Sequence, residues 1–320
     1  MAYEPHRICI SGGAGFIGSK LAKAWVERGA EVTVIDNFST GTRQAIPAGT
    51  RVATCDVLDT QRVIEAMREV DLVYHLAARV AIRSSFEFVV EDTMVNVSGT
   101  ASMLHAAQLT GTARRFVFTS SMAVYADSTI GERISESWPK APISPYGISK
   151  LTAESLTHQL CSHAGIESVV LRLFNTYGPG QSLSPYVGAV TIFCNRLAAG
   201  EQPIIFGDGE QCRDFIHVDD VVSALLLAGT ADAAGQTFNI GTGRATTVNQ
   251  VVASLQRALQ AHIAPKYIGA VVGELRSSVP DITHARTVLG YKPKHEFDAS
   301  IGDVAREVTQ AALARLQHVS

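Results

Sequence analysis

Residues 10–18 read ISGGAGFIG, with glycines at 12, 15 and 18. The stretch follows a short apolar run, RICIS (7–11), and opens an amphipathic one, FIGSKLAKAWVERG, that ends at Gly29 in a GA turn. Strand, glycine turn and helix in that order form a phosphate-binding device. Gly12 permits the tight turn, Gly15 lets the backbone come close to a pyrophosphate, and Gly18 lets the helix sit near the sheet with its N-terminus toward the anion. A glycine triplet alone is weak evidence. Here an acid, Asp36, also closes the next apolar run, EVTVI (31–35). A carboxylate there accepts hydrogen bonds from ribose hydroxyls and repels a 2′-phosphate, so NAD is expected rather than NADP. Asp56, in TCDVLD, is placed to hold the adenine amino group or simply to close a turn.

Outward from this turn, RVATC (51–55), LVYHL (72–76), RFVFTS (115–120) and SVVLRLF (168–174) are short, continuous and apolar. Parallel strands covered on both faces have that texture. With amphipathic stretches such as NVSGTASMLHAAQLTG between them, they predict an α/β fold, a Rossmann-like doubly wound parallel sheet. After about residue 175 the texture changes. NTYGPGQSLSPYVG reads as a loop, VTIFCNRLAAGEQ as a helix, PIIFGDGEQCRDFIHVDD as strand, turn and strand leading into a helix, FNIGTG as a further strand, and the tail as an amphipathic helix. No flexible linker separates the halves.

The 320 residues suit one large domain or two closely joined ones. A net charge of −3 offers nothing to a phosphate backbone, so nucleic-acid binding is not expected. The N-terminal residues do not read as a signal peptide, and no apolar run approaches the roughly 20 residues that cross a bilayer. Five scattered cysteines without C-x-x-C spacing indicate neither a disulfide framework nor a zinc site; no metal and a cytoplasmic location are expected.

SPYGISK (144–150) places Tyr146 and Lys150 four apart, on one face at the start of a helix. A phenol with an ordinary pKa near 10 is a poor base at neutral pH. A neighbouring ammonium and the positive charge of an oxidised nicotinamide would favour its phenolate. Ser121 ends the strand before TSSMAVY turns away, where catalytic groups of such sheets gather.

In sum of motifs (GGAGFIG, DNFSTG, CDVLD, YHLAA, NVSGT, SSMAVY, SPYGISK, RLFNTYGPGQ, GDGEQCRDFIHVDDV, FNIGTG) the chain resembles the extended short-chain dehydrogenase/reductases of the NAD-dependent sugar epimerase/dehydratase family. The resemblance implies Tyr146 as acid/base, Lys150 as its electrostatic partner and ribose anchor, and Ser121 as hydroxyl partner. It implies cofactor contacts from Gly12, Gly15, Phe16, Ile17, Gly18, Asp36, Asn37, Ser39, Thr40, Gly41, Asp56, Val57, Leu76, Ala77 and Ala78. It places Asn96 near the active site or as a helix cap. Arg83, Asn175, Arg213, Glu274 and Ser278 would face the substrate; the plainer alternative for Arg213 is a surface ion pair with Asp214. Residues 1–174 and 215–243 would form the NAD-binding domain, 175–214 and 244–320 the substrate-binding domain. A homodimer built on the helix that starts at Tyr146 is implied, with Leu151, Leu156 and Leu160 as an apolar set that serves equally as core.

Within that family, dehydratases carry Asp and Glu just after the serine, and nucleotide-glucuronate decarboxylases a Glu at the second position. Here Met122 and Ala123 stand there, and neither transfers a proton. The expected activity is therefore 4-epimerisation of a nucleotide sugar, most naturally a UDP-hexose or UDP-N-acetylhexosamine. Val271 stands where such epimerases carry a diphosphate-binding Arg, which leaves Arg276 as a candidate substitute and keeps a second reading open: an NAD-dependent dehydrogenase or atypical dehydratase of another alcohol. Ser278 replaces a bulky Tyr of galactose-specific enzymes, and a small residue is associated with room for an N-acetyl group.

Overall fold

The six runs predicted as strands form β1 (Arg7–Ser11), β2 (Glu31–Asp36), β3 (Arg51–Thr54), β4 (Leu72–His75), β5 (Arg115–Ser121) and β6 (Glu167–Leu173) in a computed structural model that describes residues 3–80, 82, 84–181, 183, 188–270 and 275–317. Beyond them lie β7 (Asn175–Tyr177), β8 (Ile204–Phe206), β9 (Cys212–Arg213), β10 (Phe215–His217), β11 (Gln236–Ile240), β12 (Thr246–Thr247), β13 (Lys266–Ile268) and β14 (Ser277–Ser278). The main sheet has seven parallel strands in the order β11-β6-β5-β4-β1-β2-β3. That is the doubly wound arrangement, with its ligand crevice at the carboxyl ends where the order reverses beside β1.

Ten α-helices are described: α1 (Phe16–Val26), α2 (Thr60–Ala66), α3 (Val89–Thr93), α4 (Gly99–Thr110), α5 (Pro145–Ala164), α6 (Ala189–Ala198), α7 (Val218–Thr230), α8 (Val248–Leu259), α9 (Thr283–Leu289) and α10 (Phe297–Gln317). Strand side chains alternate between the two faces of the sheet. Ile8 and Ile10 of β1 join Leu72 and Tyr74 in a core closed by Leu21 and Trp25 of α1 and Leu225 of α7. Cys9 and Val73 point the other way, into a core with Phe116, Phe118, Met103 of α4 and Ala153 of α5. A third core joins α6, α8 and α10 around Phe193, Leu255 and Ile301. The five cysteines are free and buried. Among the described residues no helix is long and apolar enough to cross a membrane.

Two local features differ from the sequence reading. The helix predicted from Asn96 is preceded by α3 and a π-turn, Met94–Ser98, that runs into α4. The predicted strand–turn–strand of 203–220 is three strands in three small sheets: β8 pairs with β13, β9 with β12 and β14, and β10 with β7. Leu156 and Leu160 pack, half-buried, against the second core and Leu151 against a smaller cluster with Tyr125 and Phe174.

Candidate active site

Parallel pairing in register brings the ends of neighbouring strands to one edge: Ser11 lies opposite Ile35 and His75, and Ser121 opposite Leu173. Above this edge opens a cleft of about 1470 Å³. All fifteen residues that sequence motifs assigned to the cofactor line it, together with Ser121, Tyr146, Lys150, Asn175 and Arg213.

The glycine turn is built for close approach. Gly12 has φ +68°, and a Cβ on it would lie 2.8 Å from the Ala77 amide nitrogen. A Cβ on Gly18 would lie 2.2 Å from the Gly12 carbonyl oxygen, so this glycine lets α1 close on the turn itself. Gly15 is the N-cap of α1 and offers no side-chain cap, leaving first-turn amides to meet an anion. Asp36 is buried; its Oδ2 accepts from the Ala14 amide at 2.9 Å and its Oδ1 from the Phe38 amide at 2.8 Å. Each oxygen keeps a lone pair for a ribose hydroxyl. Asn37 donates to Asp56 Oδ2 at 2.7 Å, and Arg43 lies 4.5 Å over the Phe38 ring. Open helix amides, a cradle that Cβ atoms would fill and a fixed acid together fit a dinucleotide.

Across the cleft, Pro145 opens α5 behind the N-cap Ser144, whose hydroxyl accepts from the Gly147 amide. A Cβ on Gly147 would lie 2.2 Å from the Ala123 carbonyl oxygen. Its absence lets the first turn of α5 settle on the turn after β5, which brings Tyr146 to Ser121. All three reactive side chains are buried. Burial pushes the Tyr146 phenol up to about 12, against a hydrogen bond from Ser121 that lowers it, while Asp92 raises it further. Burial draws Lys150 down to about 7, against Glu154, which favours its charged form. Burial thus dominates the phenol in the protein alone, and the sequence expectation of a phenolate depends on the added charge of an oxidised nicotinamide.

Several partners of this wall were invisible in the motifs. Glu154 lies one turn beyond Lys150, and Arg172 of β6 grips its two oxygens at 2.9 and 2.7 Å while donating to Tyr125 Oη at 2.7 Å. The i, i+4, i+8 spacing of Tyr146, Lys150 and Glu154 was the available signal. Phe86, Val90, Met94, Ile143 and Ile192 line the cleft as exposed apolar side chains, and no periodicity marks them as such. Asn96 is buried inside the π-turn, where its side chain accepts from the Arg79 amide and donates to the Arg79 carbonyl and to Ser149 Oγ; it caps no helix.

On the substrate side, Asn175 donates to the Asp214 carbonyl at 3.1 Å and Arg213 to the Cys212 carbonyl at 2.8 Å. Asp214 turns inward, accepting from Thr242 and Arg244, so it does not serve as a surface partner of Arg213. Ser278 is fully buried beside Arg213 in the β9–β14 ladder. Arg276 donates to both oxygens of Asp208, at 2.8 and 3.0 Å, on the surface. Arg83, Val271 and Glu274 lie outside the described residues.

Residues 8–241 match the NAD dependent epimerase/dehydratase family. A putative UDP-glucose 4-epimerase of Methanocaldococcus jannaschii is 32% identical over 92% of this chain and 95% of its own length. The structure of UDP-glucose 4-epimerase from Thermotoga maritima with UDP-glucose superposes with a TM-score of 0.92 at 33% identity, covering 96% of this chain and 99% of that one. UDP-N-acetylglucosamine 4-epimerase from Methanobrevibacter ruminantium, in complex with UDP-N-acetylmuramic acid, gives 0.90 at 27% identity, covering 97% and 100%. The chain belongs to the NAD dependent epimerase/dehydratase family.

Proposed function

We propose that this family member is a nucleotide-sugar 4-epimerase acting on a UDP-hexose or UDP-N-acetylhexosamine with tightly held NAD. One observation carries the reading. Ser121, Tyr146 and Lys150 share a cleft with the glycine turn and Asp36, while Met122 and Ala123 line the adjoining wall without any proton-carrying group. A transient ketone at carbon 4 therefore finds no acid or base for elimination or decarboxylation at these positions. The relatives named above as UDP-glucose and UDP-N-acetylglucosamine 4-epimerases support the same reading.

NAD, when bound along the glycine turn and Asp36, supplies hydride acceptance from carbon 4 and its return to the opposite face. The protein's own part is proton transfer and orientation. With the charges of an oxidised nicotinamide and of Lys150 favouring its phenolate, Tyr146 Oη would take the proton of the 4-hydroxyl as carbon 4 is oxidised and give it back on reduction. Ser121 donates to that oxygen and lowers its pKa. Lys150, held over the Phe118 ring at 4.4 Å, contributes positive charge below the base. Asn175 and Arg213, on the opposite wall, are assigned to the diphosphate. The portions 175–214 and 244–320 are accordingly the substrate-binding part.

We also assign a homodimer to the surface of α4 and α5, where Leu109 and Ile148 stand exposed, and a cytoplasmic location, consistent with five unpaired thiols. Light scattering on the purified protein tests the first.

The function is tested by proton NMR of the protein with UDP-N-acetylglucosamine and then UDP-glucose, without added cofactor. The carbon-4 proton coupling distinguishes the epimers. Epimer formation without accumulation of reduced cofactor is expected. No change with either sugar overturns the reading.

A further inference from the structure

We propose that His75 is a positioning residue: a hydrogen-bonded chain through its ring ties the strand before the glycine turn to the catalytic helix. The catalytic part of this proposal rests on the epimerase reading of the cleft.

Ser11 ends β1, immediately before Gly12, and its Oγ accepts from the Ala77 amide at 3.3 Å. His75 Nδ1 lies 2.6 Å from that Oγ, and His75 Nε2 lies 2.9 Å from Thr100 Oγ1. Thr100 Oγ1 in turn sits 2.6 Å from the Asn96 carbonyl oxygen. Two oxygens so close need a proton between them, and only the threonine carries one. Thr100 therefore donates to Asn96, which obliges His75 Nε2–H to donate to Thr100. The neutral ring then accepts at Nδ1 from the Ser11 hydroxyl. Onward, Asn96 Nδ2 donates to Ser149 Oγ at 3.0 Å, and Ser149 Oγ donates to the Tyr146 carbonyl at 2.8 Å. The first run is directional from Ser11 to the Asn96 carbonyl, and the side chain of the same Asn96 carries the link on through Ser149 to the Tyr146 carbonyl.

Its surroundings keep the ring in one state. His75 is fully buried between Phe116 and Phe118, with ring centroids 6.1 and 5.7 Å away. Burial, and to a smaller extent the charge of Lys150, hold its pKa down at about 3. A side chain chosen for filling alone would be apolar. An imidazole with both nitrogens committed spans two elements that the sheet itself does not join, β1 and α4, and α4 continues from the π-turn that touches α5.

Thr100→Val tests this, since it keeps the shape and deletes the hydroxyl. The variant is expected to lose about tenfold or more in kcat, to keep its sugar KM and its bound NAD, and Thr100→Ser should recover most of the loss. Wild-type kcat in Thr100→Val, or a loss that Thr100→Ser does not repair, overturns the proposal. Nitrogen-15 NMR of the His75 ring in the wild type is the measurement independent of turnover. It should report one neutral tautomer, protonated at Nε2, from about pH 5 to pH 8. A ring that titrates in that range, or carries its proton on Nδ1, breaks the chain even in an active epimerase. A wild type that leaves both UDP-sugars unchanged removes the catalytic claim along with the epimerase reading, whatever the ring reports.

Discussion

The two walls of the cleft are made of different materials. The β1–α1 wall is mostly backbone: glycines, open helix amides and one acid pinned by two main-chain N–H groups. The β5–α5 wall is made of buried side chains held away from their ordinary ionisation, with Tyr146 near 12 and Lys150 near 7. A backbone site is specified by where a side chain must be absent. A side-chain site is specified by what surrounds it, and those neighbours come from distant parts of the chain.

If the walls divide labour in this way, changes on one should spare the other. Tyr146→Phe should lower kcat by roughly a thousandfold while leaving NAD bound, since the phenol oxygen is the only group removed. Full turnover by NMR, or loss of NAD on gel filtration, would erase the division. Gly18→Ala should act in the opposite sense. Its Cβ meets the Gly12 carbonyl oxygen at 2.2 Å, so about a hundredfold loss of NAD affinity is expected, read as cofactor retained after dialysis. Unchanged retention would mean that the turn does not need its close approach.

Lys150 probes the cost of the side-chain wall. Folding lowers its pKa from 10.5 to about 7, so between those values the unfolded chain binds the extra proton and stability rises with pH. Below about pH 7 the buried ammonium's full penalty is present. Lys150→Met should therefore stabilise the cofactor-free protein by about 2 kcal/mol at pH 6, with a smaller gain at pH 9. Melting curves that shift equally at both values would contradict a desolvated lysine. Asp36→Ala belongs to the other wall and should weaken NAD about tenfold while affecting NADP less; titration with both nucleotides decides it. Arg276→Ala should do least. Its ion pair with Asp208 is exposed, and such pairs contribute little. A raised KM for the UDP-sugar would restore Arg276 as a substrate ligand.

Legibility in the sequence followed the same division. GGAGFIG, Asp36 and the six strands were readable because tight turns and buried parallel strands impose local rules on composition. Tyr146 and Lys150 were readable as a spacing and Ser121 as a strand end. The role of His75 within YHLAA was not, because Thr100 and Ser11, which complete its hydrogen bonds, lie 25 and 64 positions away. Nor was the grip of Arg172 on Glu154, 18 positions apart. The pairing that buries Ser278 beside Arg213 was not readable either, because the two residues are far apart in the chain. The short strands β12, β13 and β14 escaped notice because two or three residues carry no period to read.

By itself, then, the sequence determined the doubly wound sheet, the dinucleotide turn, the preference for NAD and the absence of acids after Ser121, since each depends on residues adjacent in the chain or on a single strand end. Only the tertiary structure decided which side chains lose their water and which hydrogen bonds replace it. Desolvation and hydrogen bonding depend on atoms brought together from β1, β4, α4 and α5, and no window along the chain contains them.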